Sequence, residues 1–112
     1  MTDLQTLPAV VTSYLDARDA KDVDGAVAAF TPAARVADDG GTHVGTDQIR
    51  AWIEESSTTF EYTTTRLGHQ VDDAGHVVVQ VRIDGNFPGG TATLHQRFGL
   101  DHDLITELVI AP

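Results

Sequence analysis

Cysteine is absent from the 112 residues, so disulfides, thiolate catalysis and any metal site with a cysteine ligand are excluded. Basic residues are scarce: 7 Lys and Arg face 17 Asp and Glu, a formal charge of −10. No Lys/Arg cluster interrupts that acidity, so nucleic acid and anionic membranes would be repelled. Long apolar runs are missing too. Val77-Val78-Val79 is among the longest and is far too short to span a bilayer. The N-terminal MTDLQTLPAVV carries neither a basic n-region nor a hydrophobic core, which argues against a signal peptide or anchor and for a cytoplasmic protein. Also lacking are a G-x-S-x-G elbow, a glycine-rich phosphate motif and closely spaced histidine pairs. His43, His69, His76, His95 and His102 never fall at i, i+2 or i+4 from one another, so no metal is expected.

What is present reads as one domain over residues 1–112, because smaller pieces could not bury a core. Leu7, Val11, Tyr14 with Leu15, and Arg18 recur at helical spacing from a start near Thr6 and Leu7, with Pro8 in the first turn. Asp22 is placed to N-cap a short second helix carrying Val23, Ala26, Val27 and Phe30, ended by Thr31-Pro32. A strand over 34–38 follows, then a Gly40-Gly41 break. A third helix, with Thr46 as its cap, buries Ile49, Trp52 and Ile53.

From residue 58 the period changes to two. Strands are expected at 59–71, 76–85, 91–100 and 104–110, separated by short polar turns, including a solvated Asp101-His102-Asp103. Helices first and strands afterwards predict an α+β fold, its helices gathered on one side of a curved antiparallel sheet. Val77, Val79, Val81 and Ile83 form one apolar row. Ala92, Leu94, Gln96, Phe98 and Leu100 form a second, with Gln96 its polar exception, and Leu104, Leu108 and Ile110 close the wall. His95 and Arg97 fall on the opposite face.

Alternation separates two adjacent aspartates. Asp38 shares a face with Ala34 and Val36, whereas Asp39 shares one with Arg35. Asp38 is then either a general base in an apolar cavity or a strand-end carboxylate capping the turn before Gly40. Tyr14 is either an oxyanion donor or a core ring with its hydroxyl at the edge. His43, following Asp38, could lie at the mouth of such a cavity.

The stretches YLDARDAKDVDGAVAAF at 14–30, ARVADD at 34–39, GTDQIR at 45–50 and HQRF at 95–98 resemble the nuclear transport factor 2-like superfamily, and within it the SnoaL-like and ketosteroid isomerase-like groups. The resemblance covers nearly the whole chain. It implies a cone-shaped fold in which a curved antiparallel sheet and three helices of the N-terminal half enclose a hydrophobic pocket, in a homodimer packed sheet against sheet. It matches Tyr14 to the oxyanion-donating tyrosine and Asp38 to the proton-shuttling base of ketosteroid isomerases. The second oxyanion donor of those enzymes, a protonated aspartic acid, would fall three residues before the Arg97-Phe98 pair. This chain has Leu94 there.

The resulting expectation is a cofactor-free enzyme, isomerase-like or a SnoaL-like cyclase, moving a proton next to the carbonyl of a hydrophobic small molecule. Tyr14 and Asp38 are its candidate catalytic residues. Val36, Trp52, Val79, Val81, Leu94, Gln96 and Phe98 are its candidate substrate contacts. The alternatives are a non-catalytic binder of a hydrophobic ligand and a dimerising accessory domain.

Overall fold

The computed structural model of the chain describes residues 7–38, 41–58 and 61–112. Helix α1 (Ala9–Asp19) starts directly after Pro8, whose carbonyl accepts from the Val11 and Thr12 amides. It ends on a left-handed residue: Lys21 has φ 58°, the Lys21 amide bonds the Arg18 carbonyl, and the Asp22 amide reaches back to Ala17. This is the Schellman geometry that closes orphan carbonyls, built here on lysine rather than glycine. Asp22 caps helix α2 (Val23–Val27), its carboxylate accepting from the Gly25 amide at 3.0 Å.

Strand β1 (Phe30–Asp38) begins earlier than its alternation suggested. Phe30 belongs to the strand and not to α2, and Thr31-Pro32 lies within β1. The proline is tolerated because pairing with the neighbouring strand skips from Phe30 to Arg35, so no ladder bond is asked of it. Strand β2 (Gly41–Val44) returns antiparallel to β1, pairing Asp38 with Gly41 and Val36 with His43. Helix α3 (Thr46–Thr58) follows Gly45, which has φ 87° and whose carbonyl receives the Ile49 amide. Thr46 is thus the first helical residue and not the cap. Gln48 supplies the side-chain acceptor instead, taking the Val44 amide at 2.8 Å.

Strands β3 (Tyr62–Val71), β4 (Val77–Gly85), β5 (Thr91–Asp101) and β6 (Leu104–Ala111) complete a six-stranded sheet in the order β2-β1-β6-β5-β4-β3. All neighbours are antiparallel except β1 and β6. The sheet is curved and unclosed, since β2 and β3 are its two edges. The helix start at Thr6, the outward Asp39, the Gly40 break and the first two residues of the 59–71 strand lie outside the described residues.

The core lies between helices and sheet. Val11, Ile49 and Ile53 from the helices meet Val36, Val79, Val81, Phe98, Ile105 and Leu108 from the strands, all fully buried. Each such side chain contributes roughly 1.5–3 kcal/mol. Ile105 and not Leu104 fills the core on β6, because a register shift between Gly99 and Leu100 moves the alternation by one residue. Among the described residues no helix is long and apolar enough to cross a membrane.

Candidate functional site

The site begins with helical spacing. Tyr14 and Arg18 stand four residues apart on the inner stripe of α1, close enough to touch. The Tyr14 ring is wedged edge-on against Phe30 at 5.3 Å and Phe98 at 5.7 Å between centroids. Its hydroxyl oxygen accepts from Arg18 Nη1 at 2.9 Å. Arg18 Nη2 donates to Ser56 Oγ of α3 at 2.8 Å, and the guanidinium lies 4.9 Å from the Trp52 ring. Trp52 is also on α3. Its indole Nε1 donates to Asp38 Oδ2 at the end of β1 at 3.0 Å, and His43 of β2 stacks on it at 5.9 Å. Three elements, α1, α3 and β1, are therefore joined by one polar chain: Tyr14, Arg18, Trp52 and Asp38.

This chain borders a cavity of about 640 Å³. The sheet side of its wall is Ile83 of β4, Ala92, Leu94 and Gln96 of β5, and Ile110 of β6, with Tyr62 and Thr64 of β3 at the side. Asp19, Glu55 and Ser56 add polar groups from the helices. Burial raises the Tyr14 pKa above its ordinary value; the charge and hydrogen bond of Arg18 oppose that rise, and Tyr62 and Asp38 add to it. The phenol consequently stays protonated at neutral pH. With one lone pair occupied by Arg18, its own hydrogen is available to donate.

The structure brings Tyr14, Asp38, Trp52, Leu94 and Gln96 to this one cavity. Val36, Val79, Val81 and Phe98 are placed elsewhere: each is at most 1% exposed, in the packed core. They face the expected side of the sheet, but alternation fixes the face of a strand and not the point along it where helix packing gives way to open space. Phe98 supports the site indirectly, as the surface against which Tyr14 rests. The sequence reads Arg18 only as a member of a helically spaced row and Ile83 only as one of an apolar strand row, and it assigns no role to Tyr62, Ser56 or Glu55. Arg18 had one usable signal: it is four residues after the candidate tyrosine. Among the described residues no group of three or more His, Asp or Glu is arranged to hold a metal ion.

A curved sheet flanked by three helices, with an apolar cavity entered by a few polar groups, defines a cone-shaped α+β fold. Residues 11–108 match the SnoaL-like domain, and the chain belongs to that family. A candidate polyketide cyclase from Sinorhizobium meliloti is 31% identical, with 94% of this chain and 95% of that one aligned at a TM-score of 0.88. A Catenulispora acidiphila protein with a ketosteroid isomerase-like fold, solved with trimethylamine, is 18% identical over 96% and 87% of the two chains (TM-score 0.82). A candidate polyketide cyclase from Silicibacter is 19% identical over 91% and 85% (TM-score 0.73). No curated protein matches the chain.

Proposed function

We propose that the protein catalyses cofactor-free proton transfer next to a carbonyl in a hydrophobic substrate, as a ketosteroid isomerase-like or SnoaL-like enzyme. The observation that carries this reading is the placement of Tyr14 and Asp38 on one cavity wall, joined through Arg18 and Trp52. In the proposed step the Asp38 carboxylate takes a proton from the carbon beside the carbonyl. The C–H electron pair becomes the enolate double bond, and the negative charge gathering on oxygen accepts the Tyr14 hydroxyl hydrogen. Returning the proton to another carbon gives isomerisation. Attack of the enolate carbon on a second carbonyl gives cyclisation.

Arg18 answers the main difficulty of the reading. Leu94 lines the cavity where a second oxyanion donor would sit, and losing such a donor commonly costs about 2.7–4 kcal/mol. The guanidinium bonded to Tyr14 polarises the phenol toward donation and adds positive charge beside the developing oxyanion. Turnover of a 3-oxo-Δ5-steroid by wild type and Asp38→Asn tests the assignment. A large loss in the variant supports it, and equal rates remove Asp38 from the mechanism.

Leu94 also favours a second reading, a non-catalytic binder of an apolar ligand. That reading requires binding to survive Asp38→Asn with no proton exchange at the ligand's α-carbon. A cytoplasmic setting and a homodimer belong to the same proposal. The dimer is assigned to the outer sheet face, where His95 and Gln80 are exposed, and light scattering at micromolar concentration checks it.

A further inference from the structure

Arg18 is anomalous among the arginines that hold partners. Arg50, Arg66, Arg82 and Arg97 each pair with a carboxylate at the surface, at 2.7–3.0 Å. Arg18 is the one set into the cavity wall, and the side chains it bonds, Tyr14, Ser56 and Tyr62, all carry neutral hydroxyls. Among the described residues it forms no ion pair, and its Nε is buried without a partner. Among the described residues, then, the most enclosed cation of an acidic chain has no carboxylate as its ion-pair partner. Removing a guanidinium from water without a counterion is costly, so a site of this kind is completed by an anion from outside.

The surroundings fix where that anion would sit. Stacking on Trp52 and the bonds from Nη1 and Nη2 hold the guanidinium plane in place. Arg18 also borders a second, polar cavity of about 290 Å³ with Lys21, Ser57, Tyr62 and Thr63, so one side of it is polar and the other apolar. Tyr14 and Arg18 are 2.9 Å apart, which suits two acceptor groups of the same ligand only when those groups are close in the ligand. The three carboxylates on the wall constrain the pose. Asp19 is turned to Arg66 at 3.1 Å, Asp38 takes the Trp52 N–H, and Glu55 completes the set, so a ligand carboxylate must lie on the Arg18 side.

From this we infer that the cavity binds an oxo acid: an apolar body bearing a carboxylate one or two carbons from an enolisable carbonyl, with the carboxylate on Arg18 and the carbonyl on Tyr14. The inference deepens the proposed proton transfer and takes from it only the role of Tyr14. Calorimetric titration with 4-phenyl-2-oxobutanoate, its methyl ester and the neutral ketone 4-phenyl-2-butanone tests it. The acid should bind at least about tenfold more tightly than the ester or the ketone. Arg18→Gln should collapse that ratio to about one, whereas Arg18→Lys, which keeps the charge without the planar fork, should retain part of it. Acid binding no tighter than ester binding, no acid binding at millimolar concentration, or a preference that persists in Arg18→Gln overturns the inference. Should Arg18→Gln fail to fold, the wild-type ratio of acid to ester decides alone. Exchange of the α-proton of the bound acid in D2O, with Asp38→Asn alongside, tests the proton transfer separately: acid-selective binding without exchange retains the ligand class and removes the chemistry.

Discussion

Tyr14 packs its ring into the core and aims its hydroxyl at the cavity, and a single substitution separates the two. Tyr14→Phe preserves the edge contacts with Phe30 and Phe98 but leaves Arg18 Nη1 without its acceptor. Urea denaturation should show a loss of about 1–3 kcal/mol, the cost of an orphaned buried donor. If the hydroxyl stabilises an oxyanion, turnover falls by a further, larger factor of about 10²–10³. The same variant has an alkaline signature. Burial holds the folded-state pKa of Tyr14 above 10.0, so the native state keeps a proton that the unfolded chain releases. That contribution is intact below the unfolded pKa and is lost as pH rises through the folded one. The stability difference between wild type and Tyr14→Phe should therefore change above about pH 10. A difference that is flat with pH would mean that the phenol ionises equally in both states.

At the scale of elements, the junction of α1 and α2 is where local sequence and final geometry disagree most. Lys21 occupies the left-handed position that glycine normally fills, with its side chain exposed. Lys21→Gly should raise stability by about 1 kcal/mol, read as a higher urea midpoint with an unchanged slope. Asp22→Ala should lower it by about 1 kcal/mol by removing the cap on Gly25. The cap itself was legible, because an aspartate before a short apolar run has a local mechanism. The later strands were legible for the same reason, through alternation between polar turns. What escaped was set by pairing. Pro32 reads as a helix stop, yet it sits in β1 at a gap in the ladder that only β6 creates. Strand β2 looked like a loop, although the Asp39-Gly40 dipeptide between two short runs is a recognised hairpin signal. The site divides similarly: period-two counting brought Asp38 to the correct face, while Arg18 at the end of a helix reads as a charge suited to the dipole and gives no hint of enclosure.

Across the whole molecule the acidic charge raises the question of what limits stability at low pH. Most carboxylates are exposed, and protonating them relieves repulsion. Asp72 behaves differently. It accepts the backbone amides of His76 and Ala74 and the Nε of Arg97 at 2.9 Å, tying the β3–β4 turn to the outer face of β5. The His76 amide, with Arg97 and Ala74 behind it, holds its carboxyl below the ordinary 3.8 despite partial desolvation. A depressed folded pKa means that the unfolded state binds the proton first. The Asp72 contribution is therefore complete above 3.8 and drains away as pH falls through the lower, folded value. Asp72→Asn keeps an oxygen for the two amides and removes the charge. It should be less stable than wild type at neutral pH, and the gap should close as pH drops below about 4. Urea unfolding from pH 7 to 2.5 checks this. A gap of constant size would assign the role of Asp72 to its geometry alone and leave the acid limit of the fold to other carboxylates, beginning with Asp84, which Thr91 and Arg82 hold in the same depressed state.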